Sequence, residues 1–99
     1  MSRPLWHVYL ARCADDTLYC GIALDVPARI AAHDAGKGAR YTRGRGPLIV
    51  IATRRCRDHG FALRIERAVK ALSRADKLAL AGDPASFSRL ARRVRRAKP

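Results

Sequence analysis

Acidic side chains are scarce in this sequence of 99 residues. Eight Asp and Glu residues stand against 21 Lys and Arg residues, which gives a formal net charge of +13. Such a chain attracts polyanions, and nucleic acid is the first candidate because release of its counterions drives basic proteins onto it. An anionic membrane surface is the second candidate. A chain of this length is expected to form one domain with one modest core.

Long apolar runs and paired cysteine motifs are also absent. No segment approaches the roughly 20 apolar residues of a transmembrane helix. No signal peptide is visible at the N-terminus, so we expect a cytoplasmic protein. The three cysteines, Cys13, Cys20 and Cys56, have no C-x-x-C spacing. They are typical of buried free thiols in a reducing compartment, and a zinc site shared with His7 or His59 is the less favoured alternative.

Two apolar runs near the N-terminus predict a β-hairpin. Trp6–Ala11 and Leu18–Ile22 are rich in β-branched and aromatic residues, and they flank a polar turn with two consecutive aspartates. Side chains alternate along a strand, so Tyr9 and Tyr19 share a face only if the turn has an odd number of residues. A site that uses both tyrosines therefore requires an odd-length turn.

A helix is predicted after the hairpin. Asp25 is a good N-cap, Pro27 suits the first helical turn and Gly36 supplies the stop. Arg29 and His33 are four residues apart on this helix, at the margin of its apolar side. A cation and an imidazole in those positions can reach one site.

A glycine-rich basic segment follows the helix. Residues 36–46 contain four glycines and no apolar periodicity, which predicts a mobile loop. One interpretation is a solvated basic loop without a binding function. We favour a loop that contacts phosphates, with its tyrosine able to stack on a base. The candidate nucleic-acid-binding residues are Lys37, Arg40, Tyr41, Arg43 and Arg45.

The second half of the chain predicts one strand and three helices. The β-branched run Pro47–Ala52 indicates a strand covered on both faces, which completes a small sheet with the hairpin. A polar connection over residues 54–60 leads to an amphipathic helix, Phe61–Leu72. Capping residues then predict a helix from Ser73 to about Ala81 and a basic last helix that starts at Asp83-Pro84.

Glu66 is the one carboxylate inside a basic, half-buried helix. It lies beside Ile65, at the edge of the apolar stripe. Hydrolysis of a phosphodiester needs an activated water and positive charge where negative charge develops. One carboxylate with waters can hold Mg²⁺ or Mn²⁺, and Arg29 can hold a phosphate bidentately. Taken singly, each of these residues is better explained by a structural role than by catalysis.

The order of these residues adds information that no single one carries. Val8-Tyr9 is followed ten residues on by Tyr19-Cys20-Gly21, then by Arg29 and His33 on one helix and by Glu66 on a later helix. This arrangement resembles the GIY-YIG nuclease superfamily, above all its small stand-alone bacterial members. It is similar to the nuclease domain of the excinuclease C subunit. The resemblance covers Leu5 to about Leu80.

The resemblance implies an α+β fold, with a three-stranded antiparallel sheet flanked by helices, and a divalent-metal nuclease. It makes Tyr9 and Tyr19 the motif tyrosines and Arg29 the phosphate-binding arginine. It places His33 at a proton-transfer position and Glu66 as the ligand of Mg²⁺ or Mn²⁺. Either a tyrosine or His33 is the general base, and the sequence does not choose between them.

The expected organisation is a nuclease domain over residues 1–82 and a basic C-terminal helix over residues 83–99, packed on that domain or extending from it. The expected substrate is DNA rather than RNA, cut in a repair- or recombination-related role by structure rather than by base sequence. The alternative is a non-catalytic or weakly active nucleic-acid-binding protein with the same fold. His7 at a usual glycine position and the lack of any Asn favour that alternative. A third possibility is a membrane-surface protein that uses the last helix.

Overall fold

The computed structural model describes residues 5–38 and 40–96, with the side chains of Tyr41 and Arg96 left out. The start of the expected nuclease domain, residues 1–4, and the end of the expected C-terminal helix, residues 97–99, therefore lie outside the described part. The elements in chain order are β1 Trp6–Arg12, β2 Leu18–Ala23, α1 Val26–Asp34, a 3-10 turn Arg40–Thr42, β3 Ile49–Cys56, α2 His59–Lys70, α3 Arg74–Gly82 and α4 Pro84–Arg96. The predicted α+β fold is confirmed.

The sheet has the strand order β2-β1-β3, and β1 pairs antiparallel with both neighbours. Tyr9 lies opposite Gly21, so Tyr19, two residues from Gly21, is on the same face. Five residues separate the two strands, and the Cys13 N–H donates to the Thr17 carbonyl at 2.8 Å across this loop. The prediction of an odd-length turn with both tyrosines on one face is confirmed.

The alternation along β1 divides the interior into two cores. Val8 and Leu10 point to one face, where they pack with residues of α2, α3 and α4, among them Ile65. Tyr9 and Ala11 point to the other face, which α1 covers. The motif tyrosines therefore lie on the α1 side of the sheet, whereas α2 packs on the opposite side.

Side-chain caps fix where the helices begin, as the sequence predicted for α1 and α3. The Asp25 carboxylate accepts from the Ala28 N–H, and the Ser73 hydroxyl oxygen accepts from the Asp76 N–H. Asp58 caps α2 in the same way, so this helix begins at His59, two residues before the predicted start. Each cap satisfies a backbone donor that has no partner within its helix.

The last helix packs on the same core as the rest of the chain. Phe87, Leu90 and Ala91 of α4 are buried with α2 and the sheet, while Arg92, Arg93 and other basic residues are exposed. Within the described ranges, no helix is both long enough and apolar enough to cross a membrane.

The prediction for β3 was wrong in extent and in environment. The strand is Ile49–Cys56 rather than Pro47–Ala52, and it is an edge strand that is not covered on both faces. Ile49 is 55 % exposed, and Arg54 and Arg55 pair within the ladder instead of forming a connection. An edge position explains this, because polar side chains are tolerated where one side of the strand meets water.

The glycine-rich segment is attached to its surroundings, contrary to the predicted mobile loop. Its 3-10 turn is followed by a backbone hydrogen bond of 2.7 Å from the Ala14 N–H to the Arg45 carbonyl, which ties it to the hairpin turn. After the segment, the Leu48 N–H donates to the Asp34 carboxylate at 2.9 Å. The loop is thus anchored to both the hairpin and α1.

We expect Ile65→Ala to lower the free energy of unfolding by about 2–5 kcal/mol, because it removes buried methyl groups and leaves a cavity. Ile65 has no exposed surface, whereas Leu63 on the same helix is 41 % exposed. Leu63→Ala is the matched control and should cost less than about 1 kcal/mol. Urea denaturation measures both, and equal losses would contradict the assignment of the core.

Candidate active site

Three buried side chains form a hydrogen-bonded chain beneath α1. The Tyr9 hydroxyl lies 3.0 Å from His33 Nε2, and His33 Nδ1 lies 2.7 Å from Thr42 Oγ1. Tyr9 and Thr42 have no exposed surface and His33 is 2 % exposed. The contacts join the central strand, α1 and the 3-10 turn, so one imidazole connects three parts of the fold.

Arg29 stands beside this chain. Its guanidinium hydrogen-bonds the Tyr9 hydroxyl, and because a guanidinium can only donate, the Tyr9 oxygen is the acceptor. A neutral imidazole donates from one ring nitrogen and accepts at the other, and a hydroxyl group can do both. Tyr9 and Thr42 therefore satisfy both His33 nitrogens in either tautomer.

Burial sets the protonation of the chain. It raises the pKa of Tyr9 to about 12, with a further rise from Tyr19 and an opposing effect from Arg29. Burial also lowers the pKa of His33, and the Arg29 charge lowers it further while Asp34 opposes the change. Tyr9 is therefore a neutral phenol and His33 a neutral imidazole at physiological pH.

Tyr19 is the half-buried member of the cluster. Its ring centroid lies 6.2 Å from that of Tyr9 and 5.1 Å from that of His33. It lines a hollow of about 310 Å³ together with Leu18, Cys20, Lys70 and Lys77. Burial raises the pKa of Tyr19, and the charges of Lys70 and Arg29 counteract that rise. The hollow is therefore basic.

Gly21 allows the two tyrosines to approach. A Cβ at this position would lie 2.6 Å from the Tyr9 hydroxyl oxygen, 2.7 Å from Tyr9 Cζ and 3.1 Å from Tyr19 Cε2. No side chain fits that space. The glycine of the second motif is thus required by packing against the first motif.

Glu66 reaches the same region from α2. Its side chain is 18 % exposed, and Lys70 Nζ lies 3.5 Å from one of its oxygens. Its charge raises the pKa of both Tyr19 and Cys20, and its ion-pair partner Lys70 lines the hollow together with these two residues.

Glu66 stands as a single hard-oxygen donor, since the described residues contain no cluster of three or more His, Cys, Asp or Glu that could hold a metal ion. This donor suits Mg²⁺ or Mn²⁺ completed by water and substrate oxygens, and it does not suit zinc.

The basic residues of the glycine-rich loop differ in how accessible they are to a ligand. Lys37, Arg40 and Arg43 are exposed and available to a ligand. Arg45 is half-buried, and it donates to the Asp15 carboxylate at 2.6 Å. The side chain of Tyr41 lies outside the described part of the chain. Because Thr42 bonds His33, this loop is attached directly beside the site.

Comparison with known proteins agrees with this geometry. The family model of the GIY-YIG catalytic domain matches residues 5–79, about three quarters of the chain. The chain belongs to the GIY-YIG family. Membership of this family suggests nuclease activity and a nucleic-acid substrate.

Relatives of this GIY-YIG protein span most of its length. A UPF0213 protein of Natronomonas pharaonis is 47 % identical over 77 residues, covering 78 % of this chain and 91 % of that protein. A UPF0213 protein of Vibrio cholerae is 44 % identical over 86 residues, covering 86 % and 85 %. The solution NMR structure of a UPF0213 protein from Bacillus halodurans has 41 % identity and a TM-score of 0.51, covering 85 % of this chain and 93 % of that one.

Sequence reasoning missed two residues of this GIY-YIG site. Thr42 carries no recognisable signal, because its contact with His33 depends on how the glycine-rich loop folds. Lys77 stands on α3, outside every motif, and reaches the hollow only through the packing of α3 near β2. The spacing of Lys70 four residues after Glu66 was a usable signal for their ion pair.

Gly21→Ala should lower the free energy of unfolding by about 1–3 kcal/mol, because the new methyl group overlaps a buried tyrosine that cannot move without leaving His33. Gly82→Ala is the matched control, since nothing lies within 4 Å of a Cβ there. It should leave stability unchanged or raise it by up to about 1 kcal/mol. Thermal or urea unfolding measures both, and a fully stable Gly21→Ala protein would contradict this packing.

Proposed function

We propose that this protein is a divalent-metal-dependent endonuclease that hydrolyses phosphodiester bonds in DNA. The observation that supports this most strongly is that Tyr9 and Tyr19 share a face, with a guanidinium that bonds the first and a carboxylate whose charge acts on the second. These are the groups that phosphodiester hydrolysis needs: donors for the phosphate, a proton acceptor and a ligand for a hard cation.

Arg29 is the proposed phosphate ligand. Its side chain is exposed, yet its guanidinium is held by the Tyr9 hydroxyl, so its orientation is set before substrate arrives. A guanidinium with one edge committed can still present the other edge to two phosphate oxygens. In this scheme Tyr9 and His33, which are buried, act as positioning residues for Arg29.

Tyr19 is the proposed contact for the attacking water, because it is the half-buried phenol of the pair. Its high pKa opposes proton acceptance, but the charges of Lys70 and Arg29 lower it. The Glu66 charge raises it, so neutralising Glu66 removes that opposing contribution. A lower pKa favours loss of the Tyr19 proton to solvent, and the resulting phenolate can accept a proton from the attacking water.

Glu66 is the proposed ligand of Mg²⁺ or Mn²⁺. When bound there, the cation would supply positive charge to the phosphate and to the leaving oxygen. Lys70, which pairs with Glu66 at 3.5 Å and lines the hollow beside Tyr19, would then lose its counter-ion. Lys77 lines the same hollow, so two ammonium groups would be available to the phosphate.

The proposed selectivity is for DNA structure rather than base sequence, as in repair or recombination. The side chains that support this are Arg29, Lys70, Lys77 and the exposed loop cations, all of which suit phosphate oxygens. Phosphate contacts position a protein on nucleic acid without reading its bases.

One observation favours a second function, nucleic-acid binding without cleavage. Glu66 already has a counter-ion in Lys70, so the carboxylate is satisfied without a metal. In this alternative the ion pair is permanent and the cluster only holds a backbone. The two functions differ in whether purified protein with Mg²⁺ or Mn²⁺ cuts DNA.

Glu66→Gln should reduce cleavage by at least about 100-fold while DNA binding is retained, because it removes the metal ligand but none of the phosphate contacts. Cleavage is measured on branched, nicked and linear DNA, with and without Mg²⁺ or Mn²⁺. Branched or nicked DNA should be the better substrate.

Asp76→Asn is the matched control, since this exposed carboxylate stands on α3 and its loss changes the charge equally. It should cut like the wild type. Equal cleavage by Glu66→Gln would point to a contaminating nuclease, and no cleavage by the wild type would favour the binding protein.

A further inference from the structure

A second basic site lies where β3 ends, at the other end of the sheet from Tyr19. A groove of about 450 Å³ is lined there by five arginines together with Phe61. The arginines come from three elements and their connection, namely Arg54 and Arg55 of β3, Arg57 after it, Arg64 of α2 and Arg95 of α4. A hollow of about 250 Å³ lined by Leu5 and the same end of β3 adjoins it.

The groove has little negative charge to balance these arginines. Asp58 is its one acidic lining residue, and that carboxylate already accepts from the Gly60 N–H as the cap of α2. Arg54 Nε is buried with no hydrogen-bond partner among the described residues. Concentrating positive charge without counter-charges costs free energy that an anionic ligand would recover.

Phe61 helps to hold one of these charges in place. The Arg64 guanidinium carbon lies 5.7 Å from the centre of the Phe61 ring, in a cation–π contact. Phe61 is itself partly buried against the main core. The guanidinium is thus supported by a rigid surface rather than by a carboxylate, and its N–H groups remain available for a ligand.

The groove lies around the outer edge of β3 and includes residues from both faces of the sheet. Arg54 pairs with Val8 and so projects on the α2 face, which also supplies Arg64, whereas Arg55 pairs with His7 and projects on the face of Tyr9. Arg55 is exposed, and it lies two residues, about 7 Å, along β3 from the position opposite Tyr9.

We propose that this arginine groove binds the sugar-phosphate backbone of the same nucleic acid on one side of the cut. The groove would act as a second backbone contact, separate from the phosphate at the tyrosine site. This deepens the proposed function, because it takes the nucleic acid at the tyrosine site as its starting point. Arginine suits the role, since its planar fork matches two phosphate oxygens.

The test is equilibrium DNA binding, measured by fluorescence anisotropy across a salt series in the presence of EDTA. Without divalent cations no cleavage is expected, so the outcome does not depend on whether the protein is a nuclease. The variant Arg55→Gln/Arg57→Gln removes two exposed charges of the groove. Arg92→Gln/Arg93→Gln removes two exposed charges of α4 that do not line the groove and is the matched control.

The groove variant should lower the slope of log affinity against log salt by about 1.8 on duplex DNA, since each lost phosphate contact removes about 0.9. The control should change the slope by much less. Shortening the DNA until it spans only the tyrosine site should remove the difference between wild type and groove variant.

Three results would overturn the proposal. An equal change in both variants would mean that net charge alone drives binding. An unchanged slope in the groove variant would mean that no phosphate contact lies there. Loss of binding to phosphatidylserine vesicles with DNA binding intact would assign the groove to an anionic membrane surface instead. Unchanged thermal unfolding of both variants verifies that the comparison is between folded proteins.

Discussion

The hydrogen-bonded chain from Tyr9 through His33 to Thr42 is the interaction on which the site depends. It connects the central strand, α1 and the turn of the basic loop through one buried imidazole. A buried polar group without a partner costs on the order of 1–3 kcal/mol, so each member holds the others in place. The positions of Arg29 and of the loop cations follow from this chain, because Arg29 bonds one end of it and the loop is attached at the other.

The two faces of the sheet differ in role: one contributes mainly to stability, and the other carries the buried polar groups of the candidate site. On the α2 and α4 side, aliphatic side chains such as Leu10, Ile65 and Leu90 fill the main core. On the α1 side, the smaller core is built around Tyr9, so its packing and its polar contacts cannot be separated. Glu66 and Lys70 lie where α2 approaches the edge of β2, and there the two sides meet beside Tyr19. The candidate site is therefore assembled across the β2 edge of the sheet.

Local patterns predicted much of this molecule. The hairpin, the caps at Asp25 and Ser73, and the shared face of Tyr9 and Tyr19 follow from residue types and from the period of two along a strand. The position of Glu66 beside Ile65 at the edge of a buried stripe also follows from helical periodicity. The residue pattern of the family then assigned these residues to one site, whereas local patterns describe each residue separately.

Features set by contacts between distant segments could not be predicted in this way. From the sequence alone, the arginines at the end of β3 were predicted to belong to a polar connection. They are part of a strand because they pair with β1, which is distant in sequence. The depth of His33 was also missed, since its position at the margin of an apolar stripe says nothing about the loop that covers it. Thr42 reaches His33 only after that loop has folded. In each case a partner far away in sequence determines the environment.

The most direct test of the account is the pH titration of the His33 imidazole by NMR, with the His33→Gln protein used to assign its signal. A buried, neutral ring between Tyr9 and Thr42 and beside the Arg29 charge should titrate below the usual histidine pKa of 6.5. A titration midpoint at or above the usual value would contradict the proposed chain and the site that is built on it.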